Sequence, residues 1–271
     1  MIEVRHKTTG AVLVRLETET LAGASLAGAD LFEANLAGLD MTGADLRGAD
    51  INEADVSGAR LCGAQMDGAK LWGTVMTGAD LRGADLTAVR MWGTNLRDAK
   101  LEGANLTRAH LKDVNLSGAD LQNLKFDRAD FERTVLNEAR LAGADMTEAS
   151  LRQASLIGAD CRYATLVGAN LTRAILRAAD LRHADLTRAN LNGVTLENAD
   201  LTDALLSHTL LLDCRDLHRA RGLESLIPGG PCALDRETLR SCVAHLPDSF
   251  LEGVGYTAVE IAALRALYPP Q

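Results

Sequence analysis

An apolar residue recurs at every fifth position of this chain from Leu21 to Leu211, with no insertion or deletion. Of these 39 positions, which we call the centres of the repeats, 29 are leucine and the others are Met, Ile, Val, Phe or Cys. The position two residues before a centre, which we call the alanine position, is alanine in 29 of the 38 repeats from 24 to 209. Each repeat therefore supplies one large and one small apolar side chain.

A period of five residues excludes both regular secondary structures. At roughly 100° per residue, a helix would spread the centres around its whole surface, and a strand would alternate them between two faces. The backbone must therefore turn once in every repeat. Four right-angle turns close a square coil in twenty residues, and successive coils can stack at the β-sheet spacing of about 4.8 Å. The spacing predicts an all-β solenoid with Leu and Ala packed inside it.

The glycines indicate where each repeat turns. Of the 24 glycines, all 18 between residues 21 and 211 occur two residues after a centre. A type II turn needs a residue that favours positive φ, which is the preference of glycine. Twelve of the 18 precede residue 100, so we expect regular type II turns in the N-terminal half and looser turns in the C-terminal half.

The recurring pattern A(D/N)LxxA(D/N)LxG resembles the pentapeptide-repeat family over residues 21–211. The resemblance implies a right-handed quadrilateral β-helix, here of about nine to ten coils at twenty residues each. The open ladders at its two ends must be covered. Residues 1–20 contain apolar Ile2 and Val4 before Thr9-Gly10 and apolar Val12, Val14 and Leu16 after it, each two residues apart, which predicts an N-terminal β-hairpin cap.

The repeat register ends after Leu211, and all five prolines occur at or after Pro228. We assign residues 212–271 to a small helical C-terminal module, in which Thr257 and Glu260 form a capping-box pattern that opens a helix. Residues 222–255 resemble a segment that follows pentapeptide repeats in some multidomain bacterial proteins, ahead of a domain similar to Toll/interleukin-1 receptor domains. The module is also the predicted interface for a homodimer.

The chemically reactive residues do not form a recognisable site. The five cysteines contain no CxxC pair and are odd in number, which is typical of free thiols and not of a disulfide framework or a zinc site. The six histidines are scattered, and no nucleophile elbow is present. We predict no enzymatic activity, no catalytic residue, no metal and no cofactor.

The charge and the hydropathy of the chain restrict its location and its partners. The net charge of −9 disfavours direct binding of nucleic acid. The first residues show no signal-peptide pattern, and no stretch approaches the ~18 apolar residues of a membrane span. We therefore expect a cytoplasmic protein that binds neither membrane nor nucleic acid.

Residues twenty apart should lie on the same face of successive coils, and one such column is unusual. Directly after the centres 31, 51, 71 and 91 stand Phe32, Asn52, Trp72 and Trp92, where other coils carry mostly polar residues. Acidic residues flank the lower end of this column. An apolar strip beside acid is typical of a protein-binding patch. We predict a partner-binding strip made of Phe32, Trp72, Trp92, Asp30, Glu33, Asp50 and Glu53. The alternative is that the rings are structural, lying flat over neighbouring coils or under the terminal module.

The predicted interior contains the centres themselves. Two of the four phenylalanines are centres and should pack in the core instead of on the surface. Representative core residues are Leu31, Leu81, Leu121, Phe126, Phe131 and Leu181.

Two functions are compatible with these observations. The first is implied by the family resemblance, because some pentapeptide-repeat proteins bind bacterial DNA gyrase as DNA mimics and confer resistance to quinolones or other gyrase poisons. Residues 21–60 hold seven acids against only Arg47 and Arg60, which favours such a protein. However, 14 of the 26 acids in the repeats are Asp residues directly before a centre, a structural position of the family. The alternative is a scaffold or regulatory adaptor in a bacterial signalling or defence pathway, favoured by the appended module and the mixed charge.

Overall fold

Residues 21–211 form a four-sided coil. A computed structural model describes residues 1–269, with the side chains of Ile227 and Pro228 excepted. Parallel β-bridges join residues twenty apart, from Ser25 and Asp45 to Asn190 and Leu210. The Leu26 amide donates to the Asp45 carbonyl at 2.7 Å, and the Asp45 amide donates to the Ala24 carbonyl at 2.9 Å. Each repeat is thus one side of a coil, as the five-residue period predicts.

Each corner of the coil is a hydrogen-bonded turn whose third residue has positive φ. The Ala24 amide donates to the Leu21 carbonyl at 3.0 Å, and Gly23 between them has φ 65°. Arg128 and Tyr163, at the same position in later repeats, both have φ 57°. The expectation of looser turns in the C-terminal half is therefore wrong. A left-handed residue with a Cβ costs about 1–2 kcal/mol, and the ladder offsets that cost because such residues also bond to the next coil.

The centres fill the interior. The six predicted core residues are all buried, and each exposes at most 1% of its surface: Leu31, Leu81, Leu121, Phe126, Phe131 and Leu181. The rings of Phe126 and Phe131 meet edge to face with centroids 5.1 Å apart. Because every repeat adds one large and one small side chain, the core continues unbroken along the rod.

Buried threonines replace alanine on one side of the solenoid. The hydroxyl of Thr74 donates to the Ile51 carbonyl at 2.9 Å, and that of Thr94 donates to the Leu71 carbonyl at 2.5 Å. Each bond joins two adjacent coils. Because each hydroxyl has a hydrogen-bond acceptor, the cost of burying it is offset, and the bond also links two adjacent coils.

One interface between coils is incomplete. The Met91 amide donates to the His110 carbonyl and the Leu106 amide to the Lys125 carbonyl, both at 2.9 Å. Between these points, within the described chain, eight amides make no backbone hydrogen bond of normal geometry to the adjacent coil: residues 93, 96, 98, 101, 103, 115, 120 and 125. Looser parallel bridges remain at Asn95–Asn115 and Asn105–Lys125, whereas no bridge joins Lys100 to Asp120 within the described residues. A cleft of about 570 Å³ lies there, between residues 95–101 and 115–120. We call this gap the seam.

Two bulky interior residues lie next to the seam. Leu124 occupies an alanine position and is buried beside Phe126 in the coil above the gap. A coil that must hold both side chains is wider than its neighbour, because interiors pack near the density of crystals and cannot absorb the extra volume. We therefore predict that mismatched coil widths cause the seam.

A β-hairpin lies against the first coil. Strand β1 (Ile2–His6) pairs antiparallel with β2 (Val12–Leu16) and also with β3 (Ala34–Asn35). Val4 of β1 is fully buried and belongs to the same apolar core as the centres of the coils. The hairpin thus occupies the ladder edge that the first coil would otherwise expose.

At the other end, short strands extend the ladder before the helices begin. Strand β4 (Leu205–Leu206) pairs parallel with β6 (Ile227–Pro228), and β5 (Leu210–Leu211) with β7 (Ala233–Leu234). Two 3-10 turns precede β6, at Leu217–Arg219 and Leu223–Ser225.

Three helices follow: α1 (Arg236–Cys242), α2 (Asp248–Gly253) and α3 (Ala258–Leu267). Thr257 and Glu260 form the predicted capping box at the start of α3. Leu239, Phe250 and Ile261 share one apolar core with the last coils, so the division of the chain at residue 212 stays a prediction. None of the helices within residues 1–269 is long and apolar enough to cross a membrane.

Candidate functional site

The two tryptophans form an exposed stacked pair. Their ring centroids are 5.9 Å apart with an interplanar angle of 17°. Trp72 exposes 51% of its surface, Trp92 56% and Phe32 43%. The rings are therefore uncovered, and the C-terminal module does not lie over them. Phe32 is separated from the pair by Asn52, so the column consists of one aromatic pair and one isolated ring.

The backbone holds the pair in place. The Trp72 amide donates to the Asn52 side-chain oxygen at 2.7 Å. The Trp72 ring lies over Gly93, where an added Cβ would stand 3.8 Å from its Cδ1 atom. Beneath the rings, the hydroxyls of Thr74 and Thr94 tie the same coils together. The coils that carry Trp72 and Trp92 are thus tied to each other and to the coil below, whereas the Gly93 amide directly after Trp92 already belongs to the seam.

The four acids of the predicted strip are engaged below the tryptophans. A side-chain oxygen of Asp30 accepts from the Phe32 amide at 3.1 Å, and Asp50 accepts from the Asn52 amide at 3.3 Å. Glu33 lies 3.4 Å from the His6 ring, and the Glu53 carboxylate lies against Gly73. These contacts stabilise turns and the N-terminal hairpin, and they do not place acid around the tryptophan rings.

The side chains next to the tryptophans are basic. Lys70, Arg90 and His110 stand directly before the centres 71, 91 and 111, on the same side of three successive coils, and are joined by parallel bridges. With Trp72 and Trp92 they line a groove of about 600 Å³, which we call the tryptophan groove. Sequence reasoning missed these three basic residues, although the same twenty-residue spacing that identified the tryptophans would have found them.

Lys112, Asp113 and Arg133 close the upper end of the tryptophan groove. The Arg133 guanidinium bonds the Asp113 carboxylate at 2.6 Å, and this contact lowers the pKa of Asp113. The one acid that lines the groove is thus already neutralised by an ion pair. The groove offers an aromatic surface and basic hydrogen-bond donors, a combination that suits binding.

Elsewhere on the solenoid, aspartates before the centres pair with arginines two residues later. In the pair Asp45 and Arg47 the nearest oxygen and nitrogen are 2.7 Å apart, and the guanidinium lowers the pKa of Asp45 to about 2. The same arrangement occurs at Asp80–Arg82, Asp160–Arg162 and Asp180–Arg182. Much of the acidic surface is therefore locally compensated.

These features define a class of repeat protein, and a comparison with protein-family models identifies it. The model for pentapeptide repeats matches the chain in eight copies that together cover residues 24–211. The chain belongs to the pentapeptide repeat family, and its fold is the right-handed quadrilateral β-helix of that family. The family is generally a non-enzymatic repeat fold.

Solved structures of other pentapeptide repeat proteins are similar to this chain. HetL from the cyanobacterium Nostoc sp. strain PCC 7120, which is involved in regulating heterocyst differentiation, is 28% identical over 79% of this chain and 92% of HetL, with a TM-score of 0.29. A trypsin-treated variant of QnrB1, a plasmid-mediated fluoroquinolone resistance protein, is 15% identical over 83% of this chain and 94% of that chain, with a TM-score of 0.34. A protein from the Arabidopsis thaliana thylakoid lumen is 32% identical over 35% of this chain and 66% of that chain, with a TM-score of 0.25. No curated protein matched the chain in a sequence comparison.

Proposed function

We propose that this protein is a non-catalytic cytoplasmic scaffold that captures a protein partner at the tryptophan groove. The observation that supports this function is the exposed, stacked pair of Trp72 and Trp92 on the side of the rod. Tryptophan is enriched among the residues that dominate binding energy, because a large ring is desolvated at small conformational cost. Large exposed apolar groups that cluster on a monomer typically mark an interaction site.

A capture experiment tests this proposal. The full chain is immobilised and exposed to a bacterial lysate, and the retained proteins are quantified for the wild type and two variants. We expect the wild type and the control Tyr163→Ser, which removes an exposed ring elsewhere on the rod, to retain the same partner. The double variant Trp72→Ser/Trp92→Ser should lose it. Undiminished capture by the double variant would place the binding face elsewhere.

A finer hypothesis is that the partner is a type II topoisomerase, with the chain acting as a DNA mimic that protects DNA gyrase from poisons. It is favoured by the family and by the first coils, where Asp30, Asp55 and Asp67 have no ion-pair partner within residues 1–269. The Asp–Arg pairs of the later coils count against a continuous acidic stripe. A protector should inhibit supercoiling or relieve quinolone poisoning at micromolar concentration, and salt should weaken the effect. Absence of both effects with several bacterial gyrases would remove this hypothesis and leave the scaffold.

A further inference from the structure

We infer that the tryptophan groove binds an acidic peptide segment of a partner protein, with a carboxylate on Arg90 and a neighbouring large apolar side chain on Trp72 and Trp92. This inference rests on the proposed function, because both use the same groove. It specifies the chemistry of the partner, which the aromatic pair alone does not.

The repeats that carry the tryptophans reverse the usual polarity of the solenoid. In most repeats that have a charged residue directly before the centre, that residue is an aspartate, and its side chain accepts a hydrogen bond from the amide directly after the centre. Asp160 accepts in this way from the Arg162 amide at 3.3 Å. Lys70 and Arg90 stand at that position in the tryptophan repeats, and their side chains contain no hydrogen-bond acceptor. The Trp92 amide accordingly has no hydrogen-bond acceptor within residues 1–269.

The contact is therefore absent at the Trp92 repeat within the described residues, whereas at the Trp72 repeat the Asn52 side chain replaces it. Natural proteins depart from their own structural rules mainly at functional sites, where binding requires a residue that folding does not favour. The replacement of aspartate by a cation also changes what the surface attracts. A groove that would otherwise repel a carboxylate now presents donors to it.

Arg90 is the cation of the groove whose charge is available. Lys70 is 3.0 Å from the Asp50 carboxylate, and Lys112 is 2.8 Å from Glu132. For Arg90, in the part of the chain that the structure describes, no carboxylate lies within ion-pair distance. A guanidinium presents a planar fork of donors that matches a carboxylate with two parallel hydrogen bonds.

The position of Arg90 sets the spacing of the ligand. Arg90 is two residues before Trp92 on the same side of one coil, and Lys70 stands in the same way before Trp72. A carboxylate on Arg90 would thus lie directly beside the aromatic pair. The groove, of about 600 Å³, is within the range of sites that hold several side chains of a peptide.

The net charge of the chain determines how such a peptide would be held. At −9, the whole molecule repels an acidic segment at a distance, but at physiological salt this repulsion is screened beyond about 8 Å. Short-range pairing and ring packing must therefore supply the affinity. We expect binding that depends on both Arg90 and the rings, and that responds weakly to added salt.

The protein contains an intrinsic probe for this test. Both tryptophans of the chain lie in the groove, so their fluorescence reports on the groove alone. The full chain is titrated with a blocked peptide Glu-Asp-Phe-Glu-Asp and with three matched peptides. In these, the acids are replaced by Gln and Asn, the acids are replaced by Lys and Arg, or Phe is replaced by Ala.

We expect saturable quenching or a blue shift with the acidic Phe peptide, and at least about tenfold weaker binding of the other three. Arg90→Gln should weaken the acidic peptide about tenfold or more. The control Arg152→Gln, an exposed arginine in the same column as the tryptophans, should change nothing. Equal binding of the neutral or basic peptide, or an unaltered affinity in Arg90→Gln, would overturn the inference.

The same variants separate this inference from the proposed function. If the lysate partner is lost in the double tryptophan variant but retained by Arg90→Gln, the scaffold stands and the acidic ligand is wrong. If the double tryptophan variant retains the partner, the proposed function itself fails.

Discussion

The seam makes a quantitative prediction about amide hydrogen exchange. One side of an ordinary coil contributes three backbone hydrogen bonds to the next coil, each worth roughly 1 kcal/mol net. Opening one side therefore costs about 3 kcal/mol, or about a hundredfold in exchange rate at 1.4 kcal/mol per factor of ten. The Leu101 amide has no such bond within the described residues, and no bridge joins Lys100 to Asp120, whereas the amides of Leu116 and Leu121 donate at 2.7 and 2.8 Å to the following coil. We expect the Leu101 amide to exchange about a hundredfold faster than those of Leu116 and Leu121.

Replacement of Leu124 by Ala should remove that difference. The coil above the seam would then match the width of its neighbour, and the eight unpaired amides could find their acceptors. The change also deletes a buried leucine, at about 2–5 kcal/mol. Global stability is therefore a poor measure, and the ratio of exchange rates within one molecule is the useful one.

Amide exchange followed by NMR gives that ratio directly. Leu39→Ala is the matched control, since Leu39 also occupies an alanine position but is only half-buried in the first coil, where the ladder is complete. Slow exchange of the Leu101 amide in the wild type would show that the seam is closed in solution. Fast exchange that persists in Leu124→Ala would refute Leu124 as its cause.

Three further predictions concern the core, the corners and the charges. Leu121→Asp should prevent folding, because it buries an unpaired charge; a normal melting transition would contradict the burial of Leu121. Gly78→Ala should lower the free energy of unfolding by about 1 kcal/mol, because φ is +67° and the added Cβ meets no atom within 4 Å, so only backbone strain is introduced. Ala178→Gly, at the same kind of corner, should leave the free energy of unfolding unchanged or raise it slightly. A urea denaturation midpoint unchanged by Gly78→Ala would show that the corner is unstrained. Because Arg47 lowers the pKa of Asp45 to about 2, this pair contributes stability above the unfolded pKa of about 3.9, and that contribution is lost as the pH falls from about 4 to about 2. In Asp45→Asn, the melting temperature should therefore fall less over this interval, and an identical pH profile would exclude the pair as a contributor.

The interior could be predicted from the sequence because it follows from one constraint. A five-residue period allows a single way to place all centres inside, and Leu181 or Phe131 needs no further information to be placed. The corners were harder, since glycine is the only residue whose preference for positive φ can be read directly. Arg128 adopts the same conformation because the two neighbouring coils impose it, which is a property of the assembled ladder.

The seam and the tryptophan groove show where sequence reasoning stops. The seam depends on the summed volume of Leu124 and Phe126 against a narrower coil, which no single position reveals. The column of Trp72 and Trp92 was predictable from spacing, and Arg90 could have been found in the same way. Which basic side chain of the groove lacks a carboxylate partner depends on side-chain contacts, and the sequence alone does not predict these.

The uniform corners have a consequence for how such a rod can change over time. Because the coil imposes the same left-handed conformation at every corner, the residue there can be exchanged while the backbone stays as it is. Side chains at corners twenty residues apart meet in register, as with Arg128 and Glu148 at 2.7 Å or the stacked rings of Tyr163 and His183 at 4.8 Å. An exchange at one corner alters contacts only with the coils directly above and below. The outer edge of the rod can therefore acquire a new specificity by single substitutions, independently of the interior that keeps it folded.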